Sequence, residues 1–475
     1  MRYVRAISFR SGEATLGCAV LVLDVGKTHS KLTLVSLEGK APVVRTRANA
    51  VVQQSGLSII DAAGIEEWLL ATVRELSAVA HIAAIVPVAH GAAAALLRDD
   101  KLMAPVLDYE ASPPVAVAGR YDAERDPFER TLSPRLPGGL NLGVQLAWHD
   151  DLGHDLSAPG ASVLTWPQYW AHRLSGERAS EVTSLGCHTD LWLPLEGEYS
   201  DLARARGWAG RFAPIRAANE VLGAARVDAV QTTRPPHDCL VLCGMHDSNA
   251  SLFGARAQAQ VSDGPFCLVA TGTWFVAMQS GGDDPPRLDE TRDTLGNVDI
   301  AGRLTPSARF MGGREYVAIA GDGGVAGSEE DAASLVDRGV ATSGTYTAGC
   351  GPFPHSQGAL VGEPRTPGER AALASLHLAL LTDASLNLIG AEGPIVIEGR
   401  FAADPVFAAA LAALRPQATV LRLTGSDGVA LGAARLWAPD LPPRERAAPV
   451  APLRTDLSAY ADRWLDHVRG PRRSP

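Results

Sequence analysis

One local pattern occurs twice in this chain, and it constrains the fold more than any other feature. An apolar run ends in a short glycine- and threonine-bearing turn, then resumes. Near the N-terminus Ala19–Leu23 stops at Asp24-Val25-Gly26-Lys27-Thr28, continues as Lys31–Leu37 and ends in Glu38-Gly39-Lys40. About 250 residues later Phe266–Ala270 stops at Thr271-Gly272-Thr273-Trp274 and resumes as Phe275–Met278. Each reads as strand, tight loop, strand. Around them the periodicity alternates. Ile60, Ile65, Trp68, Leu69, Val73 and Leu76 have helical spacing within Ile59–Val79, and Ile82–Val88 is a buried-strand run ending at His90-Gly91. Cys239–Cys243 is another such run; it leads through Gly244-Met245-His246-Asp247 into a small-residue helix at Asn249–Ala257. Alternation of this kind predicts an α/β chain, and the two hairpins predict an internal duplication into two similar halves. Ser112–Pro114, Asp283–Pro286 and Pro364–Pro367 read as surface loops, and the end from Ala459 onward as one helix and a frayed tail.

Composition removes other classes. A chain of 475 residues accommodates two to three domains and needs no disulfide or metal to fold. A net charge of -10 argues against nucleic acid or an anionic membrane as partner. No uninterrupted apolar stretch approaches membrane-spanning length, and Arg10 and Glu13 spoil the N-terminus as a signal peptide. The six cysteines (Cys18, Cys187, Cys239, Cys243, Cys267, Cys350) are scattered, which suits a reducing cytosol. Cys239 and Cys243 bracket an apolar strand and lack the partner pair a zinc site needs. Of 43 basic residues only four are lysines (Lys27, Lys31, Lys40, Lys101), and two of these lie within five residues of each other, in the first turn and at the start of the strand after it.

Several familiar motifs fail on inspection. Gly26-Lys27-Thr28 is not a P-loop: position 21 is Leu where that motif needs glycine, and a strand follows instead of a helix. Gly321–Gly327 fits a loose dinucleotide fingerprint after apolar Val317–Ala320, but a glycine turn packing a helix against a strand is the preferred reading. There is no Gly-x-Ser-x-Gly elbow and no His-Glu-x-x-His. The stretch Asp24–Lys31 is more telling. It sets a carboxylate at a strand end, where it could hold hydrated Mg²⁺, beside a turn whose amides and hydroxyls could cradle phosphate oxygens.

Taken in order, these loops, with Gly244-x-His246-Asp247 between them and Glu398-Gly399-Arg400 and Asp427–Ala433 after them, resemble the FGGY carbohydrate kinases, a branch of the actin/Hsp70-like ATPases, over roughly residues 19–440. The resemblance implies two ribonuclease-H-like (actin-like ATPase) α/β domains with a cleft between them. The expected division is 1–245 for sugar and the first phosphate loop, 246–455 for nucleotide, and 456–475 as a tail. Asp24, Gly26, Lys27, Thr28, Ser30 and Lys31 correspond to the first phosphate loop, with Lys31 facing the transferred phosphate and Asp24 holding Mg²⁺ through water. Thr271, Gly272 and Thr273 correspond to the second loop, Gly399, Arg400 and Asp404 to the adenosine loop, and Asp427–Ala433 to the closing turn and helix. Asp247 matches the catalytic base.

Further segments resemble the rhamnulose- and fuculose-kinase branch: His90-Gly91, Pro105–Glu110, Asn141–Leu146, Thr183–Asp190 and Met311–Tyr316. By that resemblance His90, Gly91, Asp108, Tyr109, Glu110, His188, His246 and Asp247 face the sugar. Trp148, Trp166 and Trp170 read as core. Two departures stand out: Gly-Lys-Thr replaces the usual Gly-Thr-Thr, and Glu398 and Arg400 flank a single glycine. The implied activity is transfer of the ATP γ-phosphoryl to a hydroxyl of a small ketose or deoxyketose, with Mg²⁺, in the cytoplasm. The implied partners are sugar and ATP, with neither nucleic acid nor membrane, and a homodimer as candidate assembly. The alternative is a sugar- or nucleotide-sensing protein on the same scaffold with impaired catalysis.

Overall fold

The computed structural model describes residues 17–226, 239–282, 287–321, 324–425 and 428–469. Residues 283–286, 322, 323 and Asp427, read above as loop, fingerprint and closing turn, lie outside the described residues.

Two seven-stranded mixed sheets dominate. The first hairpin, Cys18–Val25 with His29–Ser36, is antiparallel; Val43–Ala48 adds to its outer edge, and His81–Ala89 runs parallel on the other side of the first strand. Leu240–Leu242 and Met245–His246 pair parallel with His81–Ala89, and Val221–Ala224 closes the edge antiparallel. The second sheet repeats this plan. Phe266–Thr271 and Phe275–Ser280 form the hairpin, Leu304–Phe310 pairs outside it, and Ile395–Gly399 and Val420–Arg422 run parallel on the inner side. Third–second–first–fourth–fifth is the strand order in both, as two ribonuclease-H-like domains require. Cys18–Val25 and Phe266–Thr271 are almost wholly buried because each is paired on both sides and covered on both faces, which is why they read as unbroken apolar runs.

The expected boundary at 245/246 divides the chain but not the packing. Helix Asp247–Ala255 sets Ala250 against Val20, Val22 and Val88 of the first sheet, and Leu252 and Ala255 against Phe266, Leu268 and Val396 of the second. Helix Gly428–Trp437 lies beside it and also covers the first sheet through Ala433, Ala434 and Leu436. Glycine makes that approach possible: a Cβ on Gly432 would stand 1.8 Å from the Ala250 carbonyl oxygen. The expected tail is largely a docked helix, Ser458–Arg469, burying Tyr460, Trp464 and Val468 in the second core, with the Trp464 indole donating to Thr342.

Two further readings change. Val317–Ala320 ends the helix Gly312–Ala320 and is not a strand, so the fingerprint at Gly321 lacks the strand a dinucleotide site needs. Helix Pro367–Leu388 is long and apolar enough to cross a bilayer, yet 78% of its apolar window is buried in the second core. Trp148, Trp166 and Trp170 are core residues, as expected.

Candidate functional site

The cleft between the sheets is built first by strand register. Asp24, next to last in the first strand, lies directly opposite Lys31, so carboxylate and ammonium face the same side, 4.0 Å apart. The turn between them is clamped by Asn49, a residue with no sequence signal. Its side-chain amide donates to the Gly26 carbonyl at 2.8 Å, its side-chain oxygen accepts from the Ser30 hydroxyl at 2.9 Å, and its backbone N–H donates to Thr28 O at 2.8 Å. Ser30, expected among the phosphate contacts, is fully buried with its hydroxyl bonded to Asn49. Thr28, His29 and Lys31 line a cleft of about 300 Å³ with Asp24, Gly26, Asp247, Ser248, Ser251, Ala270 and Val429.

Asp247 opens helix Asp247–Ala255, where the helix dipole favours a carboxylate. Its Oδ1 accepts from the Ser248 N–H at 2.6 Å and lies 3.3 Å from His246 Nε2. His246 is held in turn: its N–H donates to Thr183 Oγ1 at 3.0 Å, its ring meets Cys187 Sγ at 3.3 Å, and Thr183 donates to the buried Glu181. Burial keeps His246 neutral by lowering its pKa. Asp24 is pushed up to about 7, first by burial and then by the like charge of Asp247, against partial relief from Lys31.

The residues expected to face the sugar form a second cluster. His90 Nδ1 donates to the neighbouring Gly91 carbonyl at 2.7 Å, and its ring meets the Tyr109 ring edge-on at 5.4 Å. His188 sits at φ +40° and bonds Leu140 O at 2.7 Å; burial pulls its pKa down to about 3, so it is neutral. Gly91 leaves room for Cys187 and His246, which a Cβ would meet at 2.9 and 3.2 Å. Lys27, expected among the phosphate contacts, turns the other way. Its ammonium pairs with Asp108, approaches Glu110 at 3.7 Å and stands 4.6 Å from the Tyr109 ring centre. Arg309, on strand Leu304–Phe310, is a further missed residue. It pairs with Asp293 at 2.8 Å, covers the Trp274 ring at 4.8 Å, and its charge reaches His188 across the cleft.

The second loop is held by one hydroxyl and by close backbone approaches. Thr271 Oγ1 donates to Glu398 O at 2.6 Å and accepts from Phe401 N at 3.0 Å, tying the second loop to the Gly399-Arg400 turn. Gly399 lies opposite Thr271 at φ +86°, and a Cβ there would stand 2.2 Å from the Thr271 carbonyl oxygen. Gly272 and Thr273 rest on the N-terminus of helix Gly312–Ala320, with Gly313 N donating to Thr273 O at 3.2 Å. Arg400 is exposed beside the Phe401 ring. Asp404, expected at the nucleotide, caps helix Pro405–Leu414 through Phe407 N and accepts from Ser375.

With this geometry in view, similarity to known proteins becomes specific. Residues 263–445 match the family described as "Carbohydrate kinase FGGY, C-terminal domain". The L-fuculokinase of Salmonella typhi is 26% identical over 315 residues, 62% of this chain and 63% of its own length, so the aligned region spans less than two thirds of that relative. A carbohydrate kinase from Novosphingobium aromaticivorans superposes with a TM-score of 0.88 at 42% identity, covering 94% of this chain and all of that one. A ligand-bound xylulose kinase from Lactobacillus acidophilus shares the fold alone, with a TM-score of 0.77 at 15% identity over 95% of this chain and 97% of its own. Two duplicated sheets, two facing loops and this agreement along nearly the whole chain place the protein in the FGGY family of carbohydrate kinases.

Proposed function

We propose that the protein is an ATP-dependent kinase that phosphorylates a hydroxyl of a small ketose or deoxyketose, with Asp247 as general base. The observation that carries this reading is the single cleft that brings Asp247 together with Asp24, Thr28 and Lys31. Phosphoryl transfer asks mainly for positioning and charge stabilisation. The sugar hydroxyl would lie between Asp247 and the γ-phosphate, and Asp247 would take its proton as the bond to phosphorus forms. General-base help of this kind contributes about 10²–10⁴-fold. Lys31, Thr28 and the exposed amides near Gly272 and Thr273 would stabilise charge growing on the phosphoryl oxygens.

The residues fit Mg²⁺. Asp24 and Asp247 are two carboxylates lining one cleft with Lys31, and the pKa of Asp24 is raised first by burial and then by the charge of Asp247, which Lys31 offsets only in part. No cluster of three or more ligand-type side chains is found among the described residues, which suits an ion carried mainly by water and nucleotide phosphates. Asp24 would hold it through water, and the ion would supply charge neutralisation on the phosphates. The adenosine would lie toward Gly399 and Arg400. Six free cysteines support a reducing, cytoplasmic setting.

The test is ADP release over a panel of ketoses, deoxyketoses and polyols, with wild type and Asp247→Asn compared. A sugar-dependent rate that falls by about 10³-fold in the variant, with ATP binding retained, is the expected result. Near-wild-type turnover in Asp247→Asn would remove the base assignment. Tight sugar binding without ADP release would favour a sensor.

A further inference from the structure

Lys27 occupies a position in the first phosphate loop but does not line the phosphate cleft, whose walls are Asp24, Gly26, Thr28, His29 and Lys31 with residues from helix Asp247–Ala255. Its side chain crosses to the segment Asp108–Glu110, none of which lines that cleft. Asp108 is rigidly set. Its side chain is only 3% exposed, its N–H donates to Ser58 O at 3.0 Å, and its Oδ1 also accepts from Glu110 N at 3.0 Å. From Tyr109 the contacts run to His90, and from Gly91 to His246, which touches Asp247. Lys27 is thus joined by a continuous line of contacts to the proposed base.

The charges along this line do not balance. One ammonium faces the carboxylates of Asp108 and Glu110, Asp247 adds another, and the guanidinium of Arg309, whose charge reaches Tyr109 and His188, is bound to Asp293. His90, His188 and His246 are all held neutral by burial. A carboxylate on a ligand would meet net negative charge here. A hydroxyl would not: it can accept from Lys27 and donate to Asp108 at once, which neither an anion nor an apolar group can do.

We infer that Lys27 is a specificity residue for the acceptor and not a phosphate ligand, and that the Lys27–Asp108 pair selects an uncharged polyhydroxy sugar over a sugar acid. This rests on the kinase reading above. The pair recognises a hydroxyl as donor and acceptor together, and it couples acceptor occupancy to the first phosphate loop because Lys27 is part of that loop.

The experiment uses the full chain and ADP release with matched pairs, each neutral ketose or polyol beside the aldonate or uronate of the same carbon skeleton. Neutral members should have kcat/KM at least tenfold higher. Lys27→Met should raise the sugar KM at least tenfold while the KM for ATP stays within threefold, and Lys27→Arg should restore most of the sugar KM. Breaking one side of a buried pair also costs stability, so Lys27→Met/Asp108→Asn is measured alongside, with its melting temperature. It should fold and keep the raised sugar KM. An acid that equals or outperforms its neutral partner overturns the substrate class. A raised KM for ATP with an unchanged sugar KM returns Lys27 to the phosphates. Both outcomes leave the kinase reading intact, whereas no ADP release with any sugar defeats that reading and this inference with it.

Discussion

The hairpins Cys18–Val25/His29–Ser36 and Phe266–Thr271/Phe275–Ser280 occupy the same place in their sheets, each with a strand parallel to its first member and an antiparallel strand beyond its second. Their loops use the shared scaffold differently. The first loop region carries Asp24, Lys27 and Lys31, and a side chain, Asn49, holds its backbone. The second carries no charge in Thr271–Thr273; Gly313 and Gly399 approach its backbone closely, and the uncharged Thr271 hydroxyl ties it to the neighbouring turn. A duplicated fold can therefore carry charged side chains on one loop and none on the other, and on the proposed kinase reading the second would act through its amides.

This contrast predicts opposite responses to mutation. In the second loop the sensitive positions should be the glycines that let backbone approach backbone. A Cβ on Gly313 would stand 2.7 Å from the Gly272 carbonyl oxygen. Gly313→Val should displace the loop and lower kcat/KM for ATP by on the order of 10²-fold, read by steady-state kinetics with the melting temperature as control; an unchanged ATP dependence would break the comparison. In the first loop the side chains should matter. Lys31→Ala should lower kcat by about 10–100-fold, with sugar KM moving less, because one charge facing the transferred phosphate is lost. An unchanged kcat would remove Lys31 from the mechanism.

The third response is in pH. The folded Asp24 carboxyl titrates near 7, above its unfolded range, so its protonated form favours the fold. That stabilisation is complete below about pH 4 and is lost as pH rises through 7. Thermal melting of the ligand-free protein between pH 5 and 8 should show it as a decline that Asp24→Asn makes shallower by a few degrees. An identical slope in the variant would contradict the charge asymmetry of the two loops. Glu181, also raised to about 7 by burial, adds a decline of the same sign that the variant leaves in place. The smallest effect is expected at Thr273→Ala. Its side chain is exposed and the loop acts through amides, so kcat should change less than about threefold; a loss comparable to that of Lys31→Ala would show that both loops work through side chains.

Much of the scaffold was legible because it is local. Apolar runs interrupted by a glycine- and threonine-bearing turn marked both hairpins, and the structure moves their ends by only a residue or two. The residues that tune the site were not. Asn49 and Arg309 sit in sequence contexts that look like any surface or strand position, and only pairing across the sheet brings them to the loops. Asp404 precedes Pro405, a combination that suits a helix cap, and the cap is what its carboxylate makes. Gly321 followed an apolar run that could be strand or helix, and short apolar runs do not distinguish the two.

By itself the sequence determined the two strand–turn–strand units, their α/β surroundings, the carboxylates at 24 and 247, and the shortage of lysine that drew attention to Lys27 and Lys31. Those follow from periodicity and residue type, which are properties of neighbours along the chain. Only the tertiary structure decided where those two lysines point. Lys31 is fixed by its cross-strand register with Asp24, whereas Lys27 is drawn to Asp108, 81 residues away, because a buried carboxylate gains more from an ammonium in contact than an exposed loop does. That pairing depends on packing between distant segments, and no local pattern encodes it.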